Sequence, residues 1–238
     1  MVLPLYLAMT AAEMHAADTL PENFSWMACH FSPYCQGLSN LPQTLPQGAL
    51  LILNDRFPCD GHCPGLIAQQ LKEIVEQFEC SSVLLDFQRP GEAETESIVT
   101  SIVEALPCPV AVSNCYAAEL GCPVFLPPAP LHQPLEEYLK PWQGREIWLE
   151  AALCQEAVTV TPLGTGFVPQ FPTDKLEGGF YEDNLKCRYL TEIHEDEVRF
   201  TLFDTRESLE HKLELAASLG VKCAVGLYQE LGKPAPAL

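Results

Sequence analysis

Short apolar runs recur along the chain, and each of them ends in polar or turn-forming residues. Several are continuous, as in Leu50–Leu53, Val83–Leu85 and Val110–Val112. Strands buried on both faces have this pattern, and parallel sheets bury both faces of their strands. The pattern predicts strands at Pro4–Thr10, Ser25–Phe31, Ala49–Asp55, Ser82–Gln88, Pro109–Asn114, Pro123–Pro127, Glu146–Ala151 and Lys222–Tyr228.

Segments with helical periodicity fill several of the gaps between these strands. Pro64–Phe78, Glu92–Leu106 and Arg206–Leu219 each carry apolar residues on one face, and Gly220 stands where the last helix should stop. The segment 32–48, rich in Pro, Gly, Ser and Asn, predicts a loop or a single helical turn. Shorter helices are predicted at Ala11–Ala17, Tyr116–Leu120 and Pro134–Leu139.

The alternation of strands and helices predicts a parallel sheet, and eight repeats favour closure into a (β/α)8 TIM barrel. Residues 1–238 are then one domain, since α/β barrels commonly have this length. An open, doubly wound sheet is the competing fold. No glycine-rich phosphate loop follows any predicted strand, so we expect no nucleotide cofactor, and no other cofactor is indicated.

One segment, Gln155–Asp204, interrupts this alternation. Two alternating stretches, Arg188–Ile193 and Val198–Phe203, flank the polar turn 194–197. This arrangement predicts a β-hairpin. We therefore expect an antiparallel, β-rich insertion between the seventh barrel strand and the seventh helix.

Composition limits the classes of function. The net charge of −19 repels phosphate backbones, so nucleic-acid binding is not expected. Eleven cysteines, an odd and scattered number, predict reduced thiols and a cytoplasmic location. The apolar start lacks the basic residues of a secretory signal, and no apolar run has the length of a membrane span. The sequence carries no signal for oligomeric state.

The last third of the chain resembles the family 18 glycoside hydrolases, in particular chitinases and spore peptidoglycan hydrolases. The resemblance rests on Phe203-Asp204, Ser208 and Lys212, followed by a helix and the strand that ends at Gly226-Leu227-Tyr228. Members of that family are (β/α)8 barrels with an antiparallel insertion after strand seven. The resemblance therefore implies the same fold and a saccharide ligand that contains N-acetylglucosamine.

The catalytic signature of that family, Asp-x-x-Asp-x-Asp-x-Glu at the end of strand four, is degenerate here. The matching stretch, 81–88, retains only Asp86, and Gln88 stands where the family has its proton-donating glutamate. A glutamine cannot donate an acidic proton, and general acid catalysis is worth about 10²–10⁴ in rate. The tryptophan on which sugars stack in the family is replaced by Tyr228.

Other polar residues are predicted at the carboxyl ends of strands, where active sites of such barrels lie. Asp86 and Glu150 are the candidate catalytic pair, with Glu230 as a further acid. An alternative is that these carboxylates are solvated or paired with Arg56 and Arg89. The predicted ligand-binding residues are Gln88, Tyr228, Asp55, Arg89, Asn114, Gln229 and His30.

The segment Cys59-Asp60-Gly61-His62-Cys63 has the spacing of metal ligands. Zinc needs about four ligands, and the sequence shows no second cluster, although His30 and Cys35 are candidates to complete a site. A metal-free loop is the interpretation we favour.

These observations lead to three hypotheses. The first is a family-18-like barrel that binds a saccharide, or is vestigial, and lacks the usual acid-catalysed hydrolysis. The second is an active glycoside hydrolase that uses Asp86 with Glu150 or Glu230. The third is an unrelated, metal-assisted reaction at Asp55, Cys59, His62 and Cys63.

Overall fold

The computed structural model describes residues 3–89, 93–117, 120–170, 176 and 178–232, and its main feature is a closed barrel of parallel strands. The strands in chain order are β1 (Leu5–Met9), β2 (Phe24–Phe31), β3 (Leu38–Ser39), β4 (Leu50–Asn54), β5 (Ser82–Asp86), β6 (Val110–Ser113), β7 (Val124–Leu126), β8 (Ile147–Ala151), β9 (Gln155–Thr161), β10 (Gly164–Gln170), β11 (Phe180–Glu182), β12 (Cys187–Ile193), β13 (Val198–Phe203) and β14 (Cys223–Leu227). The barrel order is β1-β14-β8-β7-β6-β5-β4-β2, and β1 also pairs with β2. This closure confirms the predicted (β/α)8 barrel over an open sheet.

The helices pack around this barrel. They are α1 (Ala11–Ala16), α2 (Pro64–Phe78), α3 (Ala93–Ala105), α4 (Leu135–Leu139) and α5 (Arg206–Ser218), with a 3₁₀ turn at Lys140–Trp142 and a π-helical turn at Tyr228–Gly232. Where we expected a short helix at Tyr116–Leu120, residues 114–116 form a turn, and residues 118–119 lie outside the described residues. The predicted helix start at Glu92 also lies outside them. No helix of the described residues is long and apolar enough to cross a bilayer.

Local sequence explains where the helices begin and end. The Thr10 hydroxyl accepts the N–H of Glu13, whose carboxylate in turn accepts the N–H of Thr10, so α1 starts with a capping box. Thr205 and Ser208 form the same reciprocal cap at the start of α5. Pro64 occupies the first turn of α2, where its missing N–H costs nothing, and α2 ends at Glu79 in the left-handed conformation.

Two apolar layers result from the alternation of side chains along the barrel strands. On β4, Leu50 and Ile52 point into the barrel, whereas Leu51 and Leu53 pack outward with α2 and α3. The barrel interior is filled by Ala8, Leu50, Ile52, Leu84, Ala111, Phe125, Trp148, Cys223 and Val225. Because these side chains occupy the interior, the barrel is a packed core, and a ligand site belongs at its end.

The insertion between β8 and α5 is larger than the hairpin expected from the sequence. It is a five-stranded antiparallel sheet in the order β10-β9-β13-β12-β11, and the two predicted stretches form β12 and β13 within it. Its buried carboxylate, Glu156, accepts the backbone N–H groups of Leu131 and His132 at 3.0 and 3.2 Å. The sheet is thereby attached to the loop that follows β7.

The residues that carry the family resemblance form a buried polar cluster. Lys212 Nζ donates to both oxygens of Asp204, at 2.9 and 3.0 Å, and the Ser208 hydroxyl donates to the same carboxylate at 3.2 Å. The second oxygen also accepts the N–H of Cys154, at 3.3 Å. This motif therefore ties the start of α5 to the segment after β8, which is a structural role.

Candidate functional site

A cleft of about 930 Å³ opens at the carboxyl ends of the barrel strands. Its floor contains Ile52, Leu84 and Phe125 from the inner layer of the barrel. The next inward position on two of these strands is polar, because Asn54 follows Ile52 on β4 and Asp86 follows Leu84 on β5. The alternation along each strand thus places polar side chains above an apolar floor.

Asp86 and Glu150, which the sequence analysis named as candidates, both line this cleft. Burial raises the pKa of Glu150 to about 7, and the nearby charges of Asp86 and Glu230 add to this shift. Burial also raises the pKa of Asp86, with a further contribution from Asp55, while a hydrogen bond from Gln88 acts in the opposite direction. The two carboxyl groups thus share a desolvated environment in which one holds its proton near neutral pH.

Neither carboxyl group is paired with an arginine in the described residues. Arg89 donates to the carbonyl of Arg56 at 3.1 Å, and Arg56 lies over the ring of Phe57 at 5.7 Å. The interpretation in which these arginines neutralise Asp86 and Glu150 therefore finds no support in the contacts of the described chain.

Gln88 lies two residues beyond the end of β5, and neither it nor Arg89 is among the residues that line the cleft. Its amide Nε2 donates to Asp86 Oδ1 at 2.5 Å, and the side chain is otherwise exposed. The Asp55 carboxylate accepts the backbone N–H groups of Gln88 and Arg89 at 3.0 and 2.8 Å. Asp55 therefore holds the loop that carries Gln88 and is not among the residues that line the cleft.

His30, at the end of β2, lines the cleft and is 8% exposed. Its Nδ1 lies 2.7 Å from the carbonyl oxygen of Phe31, and its Nε2 lies 3.0 Å from Asn40 Nδ2. The Asn40 carbonyl also accepts the indole N–H of Trp26, at 3.2 Å. These three side chains form one polar wall of the cleft.

The structure places the remaining predicted site residues outside the cleft lining. Asn114 begins the turn after β6, and its N–H donates to the carbonyl of Phe125. Tyr228 begins the π-helical turn, where its ring packs with the outer apolar layer and lies against Gly232, and Gln229 is exposed beside it. Glu230 accepts the N–H of Leu153 and supports the segment after β8. The inward position at the end of β14 is Leu227.

The candidate metal residues do not converge. No group of three or more His, Cys, Asp or Glu side chains among the described residues is arranged to hold a metal ion. His62 Nδ1 accepts the N–H of Gly37 at 3.1 Å, and Cys59 contacts the hydroxyl of Thr95 at 3.0 Å. The loop 59–63 thus packs against its neighbours through ordinary polar contacts.

Several residues that line the cleft were not predicted as site residues: Thr10, His15, Trp26, Asn40, Gln43, Thr44, Asn54 and Arg56. Asn54 had a signal in the sequence, because it continues the inward series of Leu50 and Ile52 on β4. Trp26 lies in the apolar run that predicted the second strand, and it is 5% exposed while also facing the cleft. Asn40 and its neighbours lie in a segment without periodicity, so the sequence pattern did not predict that they line the cleft.

Fold and cleft together define a (β/α)8 barrel with paired carboxyl groups at the carboxyl ends of its strands. No family model matches the chain, and no curated protein matches it in sequence. Solved structures do match. The spore cortex-lytic enzyme SleL of Bacillus cereus aligns with 98% of this chain and 72% of its own, at 9% identity and a TM-score of 0.58.

Two chitinases have the same fold. That of Chromobacterium violaceum aligns over 98% of this chain and 96% of its own, at 9% identity and a TM-score of 0.57. A GH18 chitinase of Cycas revoluta, solved in complex with (GlcNAc)4, aligns over 94% of both chains at 10% identity and a TM-score of 0.55. At such identities the likeness shows a shared fold, which is the one implied by the resemblance of residues 203–228.

Proposed function

We propose that this chain binds a saccharide containing N-acetylglucosamine in the cleft and lacks the acid-catalysed hydrolysis of family 18 glycoside hydrolases. The observation that carries the proposal is the position of Gln88. It occupies the sequence position at which the family has its acid, and it donates an amide N–H to the carboxylate of Asp86, which lines the cleft. An amide is able to hydrogen-bond a sugar, but it has no acidic proton to transfer to a leaving group.

The cleft supports saccharide binding by its size and lining. Its volume, about 930 Å³, is at the upper end of the range for small-molecule sites. Trp26 and Phe125 supply aromatic surface, and His30, Asn40 and Asp86 supply polar groups around it. A structure with the same fold was solved in complex with (GlcNAc)4, which makes this oligosaccharide the first ligand to test.

A second function, glycoside hydrolysis by Asp86 and Glu150, is favoured by one observation. Burial and the neighbouring charges of Asp86 and Glu230 raise the pKa of Glu150 to about 7, the range suited to a general acid at neutral pH. Most glycoside hydrolases use two carboxyl groups of different acidity, one as the general acid and the other as the base or nucleophile. In this second function Glu150 donates the proton in place of the residue at position 88.

Binding of (GlcNAc)4 by isothermal titration calorimetry, with product analysis of the same mixtures, separates the two functions. The first function predicts a measurable affinity without release of shorter sugars. The second predicts turnover that Glu150→Gln abolishes. Absence of binding at millimolar ligand contradicts the saccharide proposal.

The variant Gln88→Glu provides the complementary test. It places a carboxyl group beside Asp86, and the two like charges then favour retention of one shared proton. We expect this variant to gain slow hydrolysis of (GlcNAc)4 at pH 5–6, whereas Gln229→Glu gains none, because Gln229 is exposed as Gln88 is but makes no hydrogen bond to Asp86 among the described residues. Equal activity in the two variants contradicts the assignment of position 88.

A further inference from the structure

The loop after β2 forms a wall of the cleft that is held in place by two buried aromatic side chains. Asn40 has a left-handed backbone with φ of 55°, and its carbonyl accepts the indole N–H of Trp26. Its side-chain amide contacts the ring of His30. Trp26 and His30 are 5% and 8% exposed, so Asn40 is fixed from both its backbone and its side chain.

The contacts of His30 determine which of its ring nitrogens carries the proton. Its Nδ1 lies 2.7 Å from the carbonyl oxygen of Phe31, and a carbonyl only accepts hydrogen bonds. Nδ1 must therefore be the donor. In the neutral ring Nε2 is then an acceptor, and the group of Asn40 that faces it, at 3.0 Å, must be the donating NH2.

This chain of contacts fixes the amide of Asn40. With its NH2 on His30, the amide leaves Oδ1 as the free end, and Oδ1 has no hydrogen-bond partner among the described residues although Asn40 lines the cleft. Asn54, the other amide in the lining, differs in this respect. Its Nδ2 donates to the carbonyl of Met27 and its Oδ1 accepts the N–H of Arg56, so both ends are occupied.

We propose that Asn40 is a specificity-determining residue of the cleft, whose Oδ1 accepts a hydroxyl or acetamido N–H of the saccharide, and that His30 is the positioning residue that holds its amide in this orientation. The inference rests on the proposed saccharide function and adds the residue that selects a hydrogen-bond donor on the ligand. A free amide would exchange its two ends by rotation, whereas one held by a neutral imidazole keeps its NH2 group toward His30 and its Oδ1 in a fixed position as an acceptor for the ligand.

The first test needs no ligand. The ¹⁵N chemical shifts of the His30 ring in the full chain at pH 7.5 should show a protonated Nδ1 and an unprotonated Nε2. In Asn40→Asp an oxygen replaces the NH2 group, so the donor to Nε2 is lost, and we expect the ¹⁵N shift of Nε2 to change more than that of Nδ1. The other titratable groups in the cleft lining, His15, Arg56, Asp86 and Glu150, are unchanged in that variant. A ring protonated only at Nε2 in the unmodified chain overturns the inference.

The second test uses (GlcNAc)4 as the probe in calorimetric titrations. Loss of one hydrogen bond to the ligand corresponds to roughly a tenfold loss of affinity. We expect that loss in Asn40→Ala, and a several-fold loss in His30→Phe, which keeps a ring but releases the amide. His194→Phe is the matched control, because His194 lies in the exposed turn of the insertion. Circular dichroism of each variant verifies folding.

The outcomes separate this inference from the proposed function. If the unmodified chain binds (GlcNAc)4 and both variants bind it as tightly, the role of Asn40 and His30 is overturned while the saccharide function stands. If the unmodified chain does not bind, the proposed function is overturned, and with it the role of Asn40 toward a saccharide. The ¹⁵N shifts then still decide whether His30 orients the amide.

Discussion

The ionisation of Glu150 depends strongly on the surroundings of its carboxyl group. Its carboxyl group lies on β8 above the inner layer of the barrel, where burial and the charge of Asp86 make ionisation unfavourable. Ionisation of the Glu150 carboxyl group therefore lowers the stability of the folded chain. Such a cost is typical of functional sites, where polar groups are retained for reasons other than folding.

The ionisation of Glu150 should be visible in the pH dependence of stability. Its pKa is about 7 in the folded chain, against 4.5 as the ordinary value. Between these two pH values the folded chain retains a proton that the unfolded chain has lost, so stability falls as pH rises through this window. The full cost above pH 7 is at most about 3 kcal/mol.

The variant Glu150→Gln removes this titration. We expect it to be more stable than the unmodified chain at pH 8, by up to about 3 kcal/mol, and to lose that advantage at pH 4.5. Urea denaturation of both proteins at the two pH values measures the difference. An advantage of equal size at both pH values contradicts the assignment to ionisation of Glu150.

At the scale of elements, the ion pair between Asp204 and Lys212 joins α5 to the segment that follows β8. The Asp204 side chain is fully buried and that of Lys212 is 8% exposed. Removal of one partner from a buried pair leaves an uncompensated charge, which typically costs about 3–5 kcal/mol. This pair therefore anchors the end of the insertion to the barrel more firmly than the exposed ion pairs do.

Lys212→Met tests this role, since methionine fills a similar volume without charge. We expect a loss of about 3–5 kcal/mol in the free energy of unfolding at pH 7, measured by urea denaturation. Asp204→Asn in the same chain should recover part of it. The control is Lys72→Met, which removes an exposed pair with Glu76 at 3.9 Å and should change stability by less than about 1 kcal/mol. Equal effects of the two lysine variants would refute the assignment.

For the whole molecule, the decisive event is closure of the barrel by β14, which pairs with β1 on one side and β8 on the other. Gly226 on β14 is in register with Ala151 on β8. A Cβ atom at position 226 would lie 2.6 Å from the carbonyl oxygen of Ala151 and 2.5 Å from Leu231 Cδ1. The strand approaches its neighbour closely because this residue has no side chain.

Gly226→Ala should therefore strain the closure of the barrel. We expect a loss of about 1–3 kcal/mol in the free energy of unfolding, as for other overpacked positions. Gly65→Ala is the control, because a Cβ atom there meets nothing within 4 Å and Gly65 lies in α2. That change should be neutral or stabilise the chain by up to about 1 kcal/mol. Thermal unfolding of both variants compares their stabilities. A Gly65→Ala variant that is as destabilised as Gly226→Ala would contradict the explanation by overpacking at position 226.

The prediction of the strands and long helices succeeded because those signals are local. Val83–Leu85 and Pro64–Phe78 reveal their type by periodicity alone, and both are found as predicted. The expected antiparallel insertion is present, with the two predicted stretches as β12 and β13, but its other three strands were not predicted. Every residue of β10 is exposed, so this strand has no buried face to give a pattern, and β9 pairs with β13 from far along the chain. The cytoplasmic location, drawn from the cysteines, stays a prediction.

The sequence by itself determined the order of the barrel strands and long helices and favoured a closed barrel, because periodicity is a property of the chain. The assignment of Gln88 to the acid position of a family 18 enzyme rests on resemblance and stays a prediction. Only the tertiary structure decided which polar side chains meet. It places Asp86, Glu150 and His30 in one cleft and adds Asn40 to its wall. The predicted residues that it leaves outside the lining are Asp55, Gln88, Arg89, Asn114, Tyr228 and Gln229. These groups come from strands and loops far apart along the chain, and whether each faces the cleft depends on register and on the path of irregular loops.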